Sequence, residues 1–415
     1  MGSTPAGADF DLVMLGTDIG TYALARAFHE HYGVRSTVIS RVIGGPIKNS
    51  RIIDTIDLGL DAQRSDTLAA LEREGRRRKE AGRTTLLLHN ADSFARMVTD
   101  NAEWLSQWYV MPDVRKDVLD LIADKIEFGR VCTELGIPVP RSLVQDFSGA
   151  DADDWEPDEV DLDYPLVAKP AVGAAYEHLV FDGKKKIYKV DSPQHLREIF
   201  ARVRAAGFRD RFVLQELIPG DDTAMRSITA YVDQSGEVTL LATARVLLQE
   251  HTPLALGNPA AMITTPYPEL MEQAERLLKH VGYRGFANFD VKVDPRDGVM
   301  KFFEMNPRIG RNNFYVTAAG ANVAEFVVAD LIENRRLEQV VVRNEILYTV
   351  LPVPLIRRYL DPELRVLLKR VAARGVHHPL KYPDTLWRRG YVALALANQV
   401  KKYRDHYPKA TDTGF

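Results

Sequence analysis

The chain has 415 residues, 46% of them apolar and 27% charged, with 54 Lys and Arg against 57 Asp and Glu. This is the composition of a globular protein of two or three domains with ample core. It excludes an internal disulfide, because Cys132 is the sole cysteine, and a membrane-spanning helix, because no apolar run approaches the ~20 residues a span needs.

The first ten residues lack a basic region followed by an apolar one. With a single cysteine among apolar neighbours, the expectation is a cytoplasmic protein in which Cys132 is simply core. Charge is unevenly spread. From Arg335 to Phe415 there are sixteen Lys and Arg against seven Asp and Glu, a net +9, which leaves −12 on the rest. A basic unit on an acidic body suits an anionic partner, such as a nucleotide- or lipid-linked substrate, or a peripheral contact with an acidic membrane. A solvated helical surface is the simpler alternative, and no nucleic-acid partner is expected.

In chain order, Asp11–Gly16 reads as an apolar strand, and Thr21–Tyr32 has helical periodicity with Leu24, Ala27 and Phe28 on one side. Ser36–Ser40 reads as a second strand. This β-α-β opening, echoed by Thr84–His89 and a helix after Asp92, predicts a Rossmann-like parallel α/β domain over residues 1–110. Gly16 and Gly20 do not make G-x-G-x-x-G, so a dinucleotide site is disfavoured and the loops are expected to help hold substrate.

The next segment, 111–335, opens with a helix carrying Lys125 near its middle, followed by Gly136-Ile137-Pro138-Val139-Pro140, whose prolines force an extended exit. Asp151–Asp163 is acidic and reads as an exposed loop. Strands are expected at Pro165–Pro170, Phe212–Leu217, Ile228–Val232 and Val238–Leu248, and a helix at Met271–Val281. Residues 336–415 read as a basic, mostly helical segment, with helices at Pro362–Ala373 and Trp387–Tyr403.

The segment Ala287–Met305 is a β-hairpin about the turn Asp294-Pro295-Arg296-Asp297-Gly298. It sets position 290 opposite 304. Alternation then places Asn288, Asp290 and Lys292 on one face with Glu304 and Asn306, and Phe289, Val291, Phe303 and Met305 on the other. Directly opposed carboxylates destabilise a sheet unless a cation lies between them. Hard oxygen donors suit magnesium carried in on a nucleotide phosphate, which Arg308 could also reach. An ordinary hairpin with a solvated acidic face is the plain alternative.

Taken together, the helix lysine, Val167-Ala168-Lys169-Pro170, Gln215-Glu216-Leu217-Ile218-Pro219-Gly220, Phe289-Asp290 and Phe303-Glu304-Met305-Asn306-Pro307-Arg308 resemble the ATP-grasp superfamily of carboxylate-amine ligases over residues 10–335. No one motif is specific; their order carries the resemblance. It implies a two-lobed α+β domain with its inter-lobe linker near 215–220, and an amide bond made from an amino-acid carboxylate and an amine through an acyl phosphate. ATP would be held by Lys125 and Lys169 on its phosphates and by Gln215, Glu216, Leu217 and Ile218 at the adenine, with Glu216 accepting from the exocyclic amine. Asp221 or Asp222 would hold the ribose. The resemblance further implies Asp290, Glu304 and Asn306 as ligands of two Mg2+ ions and Arg308 as the catalytic cation. The loop Ala171–Lys186 is expected to close as a lid, although its single early glycine departs from the family's Gly/Ser-rich turn, and Lys184–Lys186 reads as a charged tip.

Within the superfamily, Ala244–Pro253 and Gly257–Ala261 are similar to the D-aspartate ligases, which couple a β-carboxylate to the lysine of a peptidoglycan-precursor peptide. This implies Arg245 near the phosphates and Arg311 as a clamp for an α-carboxylate, with Asn312 and Asn313 on substrate or bound water. A ligase making a free dipeptide or natural product, and a nucleotide-binding scaffold without turnover, remain as alternatives. Oligomeric state is not legible.

Overall fold

The computed structural model describes residues 9 to 414, apart from 173–175, 177, 178, 186 and 254. Its chain builds three sheets. The first is parallel, with strands β1 (Phe10–Leu15), β2 (Ser36–Ser40), β3 (Ile53–Asp57) and β4 (Thr84–His89) in the order β3-β2-β1-β4. The helix Ile19–Tyr32 is capped by Asp18, whose carboxylate accepts from the amides of Gly20 and Thr21, and it ends at Gly33 with φ +67°. The Asp18 cap fixes the loop after β1, which faces the rest of the molecule, and Gly33 turns the chain toward β2.

The second sheet is antiparallel, ordered β5-β8-β6-β7 from β5 (Ser142–Asp146), β6 (Leu166–Pro170), β7 (Tyr188–Val190) and β8 (Arg211–Glu216). One of its faces packs on Phe147, Phe200, Phe208 and Phe212. The other carries Val213, Gln215 and Lys169. Between β5 and β6 the acidic stretch forms neither helix nor strand, as its composition predicts.

The third and largest sheet runs β13-β12-β9-β10-β11-β15-β16, with β9 (Met225–Val232), β10 (Val238–Gln249), β11 (Pro259–Thr264), β12 (Gly285–Val293), β13 (Met300–Asn306), β15 (Leu347–Thr349) and β16 (Val376–His377); β14 (Val340–Val341) pairs beside β10. One face buries Ile228, Ala230, Phe289 and Val291 under the helices Pro268–Val281 and Lys125–Glu134. The other continues into a core shared with the first sheet and with the C-terminal helices. Cys132 is fully buried in the former core, and burial pushes its thiol up to about 12.

The C-terminal residues do more than form helices on a basic surface. Three of their short segments extend the large sheet, and the stretch after β16 lies along the helix Ile19–Tyr32. Arg26 donates to the carbonyls of His378, Pro379 and Lys381, Asp384 accepts from Tyr22 and Ser50, and the guanidinium of Arg388 stacks 4.1 Å from the Tyr22 ring. Among the described residues no helix is long and apolar enough to cross a membrane.

His378 is 4% exposed at this junction, and its Nδ1 accepts from the Leu380 amide at 3.1 Å. Burial, together with nearby Lys381 and Arg26, lowers its pKa to about 3. A histidine held neutral in the folded state takes up a proton only on unfolding, so stability is lost as pH falls below its ordinary value of about 6.5. Urea denaturation should show about 2 to 3 kcal/mol of this loss by pH ~4.5, and His378→Gln should flatten the pH dependence; an unchanged slope would refute the assignment.

Candidate functional site

The hairpin is present and its register is the expected one, with Asp290 opposite Glu304 and Asn288 opposite Asn306. The turn is tied by Asp294, whose carboxylate accepts from the Arg296 amide (3.0 Å) and from Arg296 Nε (2.8 Å), while Gly298 takes φ +77°. The alternation breaks at one place. Register shifts between Asp290/Val291, so that Val291 pairs with Phe302 and Phe303 becomes the extra residue of a β-bulge. Phe302 therefore enters the core at 1% exposure, and Phe303, expected there, turns to the other side with the Lys169 ammonium 6.0 Å from its ring centre.

Asp290, Glu304 and Asn306 are thus brought together on the edge strand β13 and its neighbour β12. Asn306 Nδ2 donates to Asp290 Oδ2 (3.2 Å), and its Oδ1 accepts from Arg308 Nη2 (3.2 Å). Arg308 also pairs with Asp92 at 3.1 Å, just beyond β4. Such loops, at the carboxyl ends of parallel strands, are where doubly wound sheets place ligands. The close packing of this corner needs Gly310, where a Cβ would come within 2.4 and 2.5 Å of the side-chain oxygens of Asn312 and Asn288.

Facing this group, Lys169 is 7% exposed and donates to Gln215 Oε1 at 3.3 Å; Gln215 Nε2 in turn donates to Ser142 Oγ at 3.0 Å. Lys125 opens its helix instead of sitting in the middle of it. The preceding Asp124 takes extended backbone and caps the new helix through the amides of Ile126 and Glu127, breaking it from Lys116–Ala123. At that first turn Lys125 Nζ reaches the Ala171 carbonyl at 3.5 Å. A cavity of about 430 Å³ opens here, walled by Lys125, Val144, Val213, Gln215, Phe302 and Phe303, a size in the range of small-ligand pockets. The carboxylates of the hairpin are not in its wall. The expected lid, Ala171–Lys186, lies partly outside the described residues.

Several expectations change on the structure. Glu216 is not presented to an adenine: its carboxylate accepts from Lys301 (2.7 Å), the Arg141 amide (3.0 Å) and Arg296 (3.1 Å). Burial alone would raise its pKa, but these bonds outweigh it and hold the carboxyl below its ordinary value. Asp222 is buried at 2% exposure, and its Oδ2 accepts from the Gln249 amide and from His251 Nε2, both at 2.8 Å. Asp221 caps the short turn Asp222–Ala224 through Thr223. Arg245 pairs in register with Arg226 on the sheet face opposite Asp290, and its Nε donates to Thr223 O (3.2 Å). Strand alternation carries it away from the carboxylates.

Arg311 is set between two acids, with Nη1 2.8 Å from Glu250 and Nε 3.3 Å from Asp18 of the first sheet's loop. Burial works against its charge and Glu250 and Asp18 restore it, raising its pKa. Asn312 donates to Ser227 Oγ (3.1 Å), and Asn313 donates to the carbonyls of Gly20 (3.0 Å) and Gly310 (2.9 Å). Both amides are ties within the fold. Sequence reasoning missed Phe303, Asp18, Asp92, Glu250 and Lys301 as parts of this site. Asp18 and Asp92 had a local signal, each as an acid at the start of a helix.

The bracing role of Glu216 has a direct check. Glu216→Ala should cost about 2 kcal/mol in urea denaturation, because it leaves the cations Lys301 and Arg296 to share the single carboxylate of Asp294; a change within error would leave the network without structural weight.

Comparison with known proteins places the chain in a family. Residues 124–329 match the family described as carbamoyl-phosphate synthase L chain, ATP binding domain. A D-aspartate ligase of Enterococcus faecium is 30% identical over 330 residues, which is 79% of this chain and 78% of that protein. Among solved structures, N5-carboxyaminoimidazole synthetase from Staphylococcus aureus complexed with ADP has a TM-score of 0.57 at 13% identity, over 83% of this chain and 84% of that one. The L-amino acid ligase of Bacillus licheniformis has a TM-score of 0.51 at 15% identity, over 77% and 70%.

Proposed function

Because this chain belongs to the ATP-grasp family of carboxylate-amine ligases, and is thereby an ATP-dependent ligase that forms C–N bonds, we propose that it joins an amino acid, of the D-aspartate kind, to an amine of a peptide such as a peptidoglycan precursor. The observation that supports this most is the in-register pair Asp290/Glu304 with Asn306 and Arg308 beside it.

The donor set fits magnesium. Asp290, Glu304 and Asn306 offer only hard oxygens, and among the described residues no group of three or more His, Cys, Asp or Glu forms a metal cage. A partial set of this kind suits an ion that brings other ligands on a phosphate. Two ions are proposed to be held there; bound magnesium would neutralise phosphate charge.

The chain's own residues then act by position and charge. Lys125 and Lys169 lie on the opposite wall as point charges for phosphate oxygens. Gln215, with the backbone of Leu217 and Ile218, is the adenine-facing group in place of Glu216. Arg308 stands where negative charge grows on the transferring phosphoryl. The substrate carboxylate attacks the γ-phosphate and ADP leaves. The amine then attacks the acyl phosphate, losing its proton and expelling phosphate as the amide forms. No side-chain nucleophile is needed. Arg311 with Glu250 and Asp18 provides both signs of charge at one place, which suits a zwitterionic amino acid.

The test is magnesium-dependent ADP release with D- and L-amino acids screened against peptidoglycan-type peptides and simple amines, with products identified by mass. ADP release that requires both a carboxylate and an amine, and a product lighter by one water, is expected. Glu304→Gln and Arg308→Ala should each lower turnover by at least ~100-fold with the fold intact by circular dichroism. Near-wild-type rates in either would remove the assigned roles, and ATP binding without turnover on any substrate would favour a scaffold.

A further inference from the structure

The C-terminal tail does not trail into solvent. Tyr407 is stacked face to face on His251, ring centres 3.5 Å apart and planes 3° apart, and its hydroxyl accepts from the Thr411 amide at 3.0 Å. Tyr359 donates its hydroxyl to the Tyr407 carbonyl at 2.5 Å. His251 is itself fixed by Asp222, at the start of the strand that follows the linker. From this anchor the chain runs onto the linker between the second and third sheets. Gly220 N, at φ +101°, donates to Asp412 O at 2.8 Å, and Lys292 Nζ donates to Thr413 O at 3.2 Å. Gly414 packs against Asp222 Oδ1, a buried oxygen without a hydrogen-bond partner.

Lys292 is the informative member. It follows Asp290 by two positions on β12, so both side chains leave the same face of the sheet, about 6 to 7 Å apart along the strand. It is 5% exposed, and its hydrogen bond among the described residues is to a neutral carbonyl. Asp222, Asp221 and Asp294 lie in its surroundings. A buried ammonium held by a carbonyl, between the linker and the paired carboxylates, is poised for an anion.

We propose that the tail Tyr407–Gly414 is a built wall of the nucleotide site, and that it positions Lys292 as a further nucleotide-binding residue at the linker end of the cleft. The inference rests on the proposed function, which places the nucleotide between the hairpin and the linker. By holding the Gly220 amide and the Lys292 ammonium at once, the tail ties the linker to the large sheet.

The experiment compares the full-length protein with a chain ending at Ala410 and with Lys292→Met and Lys292→Arg, reading MgADP binding by titration calorimetry and KM for ATP against kcat. Truncation and Lys292→Met should each weaken MgADP binding at least tenfold and raise KM far more than they lower kcat. The two changes combined should weaken binding little beyond either alone, since they act through one contact. Lys292→Arg should recover part of the affinity. Unchanged or tighter MgADP binding in both the truncated chain and Lys292→Met, with the full-length protein binding normally, overturns the inference alone. Failure of the full-length protein to bind MgADP removes the proposed function and this inference with it.

Discussion

Two carboxylates facing each other on adjacent strands are a local liability, and much of the molecule is organised around tolerating it. Asp290 and Glu304 sit in register at the rim of the large sheet, where direct like-charge opposition costs stability. The sheet holds them there because its other face is strongly driven inward: Phe289, Val291, Phe302 and Met305 are all buried under two helices. Slipping the register by one residue would expose those four apolar side chains. Burial of that face therefore fixes the acidic face, and the acidic face is left to be relieved by cations. Asn306 at the end of β13 and Arg308 just beyond it stand beside the pair.

The arginines beyond the hairpin add a polar link to the core that the parallel sheet shares with the large one. Arg308 reaches Asp92 and Arg311 reaches Asp18, each acid lying just past the carboxyl end of a parallel strand. The first sheet lacks a glycine-rich nucleotide loop, and Asp18 already occupies the amides of its helix N-terminus. That helix end is closed to a phosphate. What its loops offer instead is negative charge and hydrogen bonds to arginines of the large sheet, which orient those arginines across the junction. Charge-assisted pairs of this kind are worth more for the geometry they impose than for net stability.

Much of this was legible in the sequence because it depends on short-range pattern. The parallel opening, the hairpin and its turn, the opposition of 290 and 304, and the acidic loop all follow from periodicity and turn chemistry in a few residues. What was not legible depends on one-residue events or on distant partners. The bulge at Phe303 has no local signature, yet it exchanges the destinations of two phenylalanines. Lys125 begins a helix because Asp124 caps it, which reads in sequence as a continuous helical stretch. Glu216 and Asp222 stand in the linker motif like ligands, and only the fold shows that Lys301 and Arg296 bond the first and that His251 and Gln249 bond one oxygen of the second. A motif fixes where a residue lies along the chain; whether its side chain is already spoken for is decided by residues tens of positions away.

The C-terminal residues show the same division most clearly. Their composition reads as a basic helical surface, but short strands within them pair onto the large sheet, and aromatic stacking on His251 brings the end of the chain to the linker. A linker between two sheets is the place where relative motion is cheapest, since few buried contacts cross it. Securing it from three directions, through Glu216 to Lys301, Asp222 to His251, and Gly220 to the tail, converts a flexible joint into one with a defined rest position. For the proposed reaction, whose catalysis is placement of charge rather than a nucleophile, that rest position would set how accurately Lys125 and Lys169 are presented to Asp290 and Glu304.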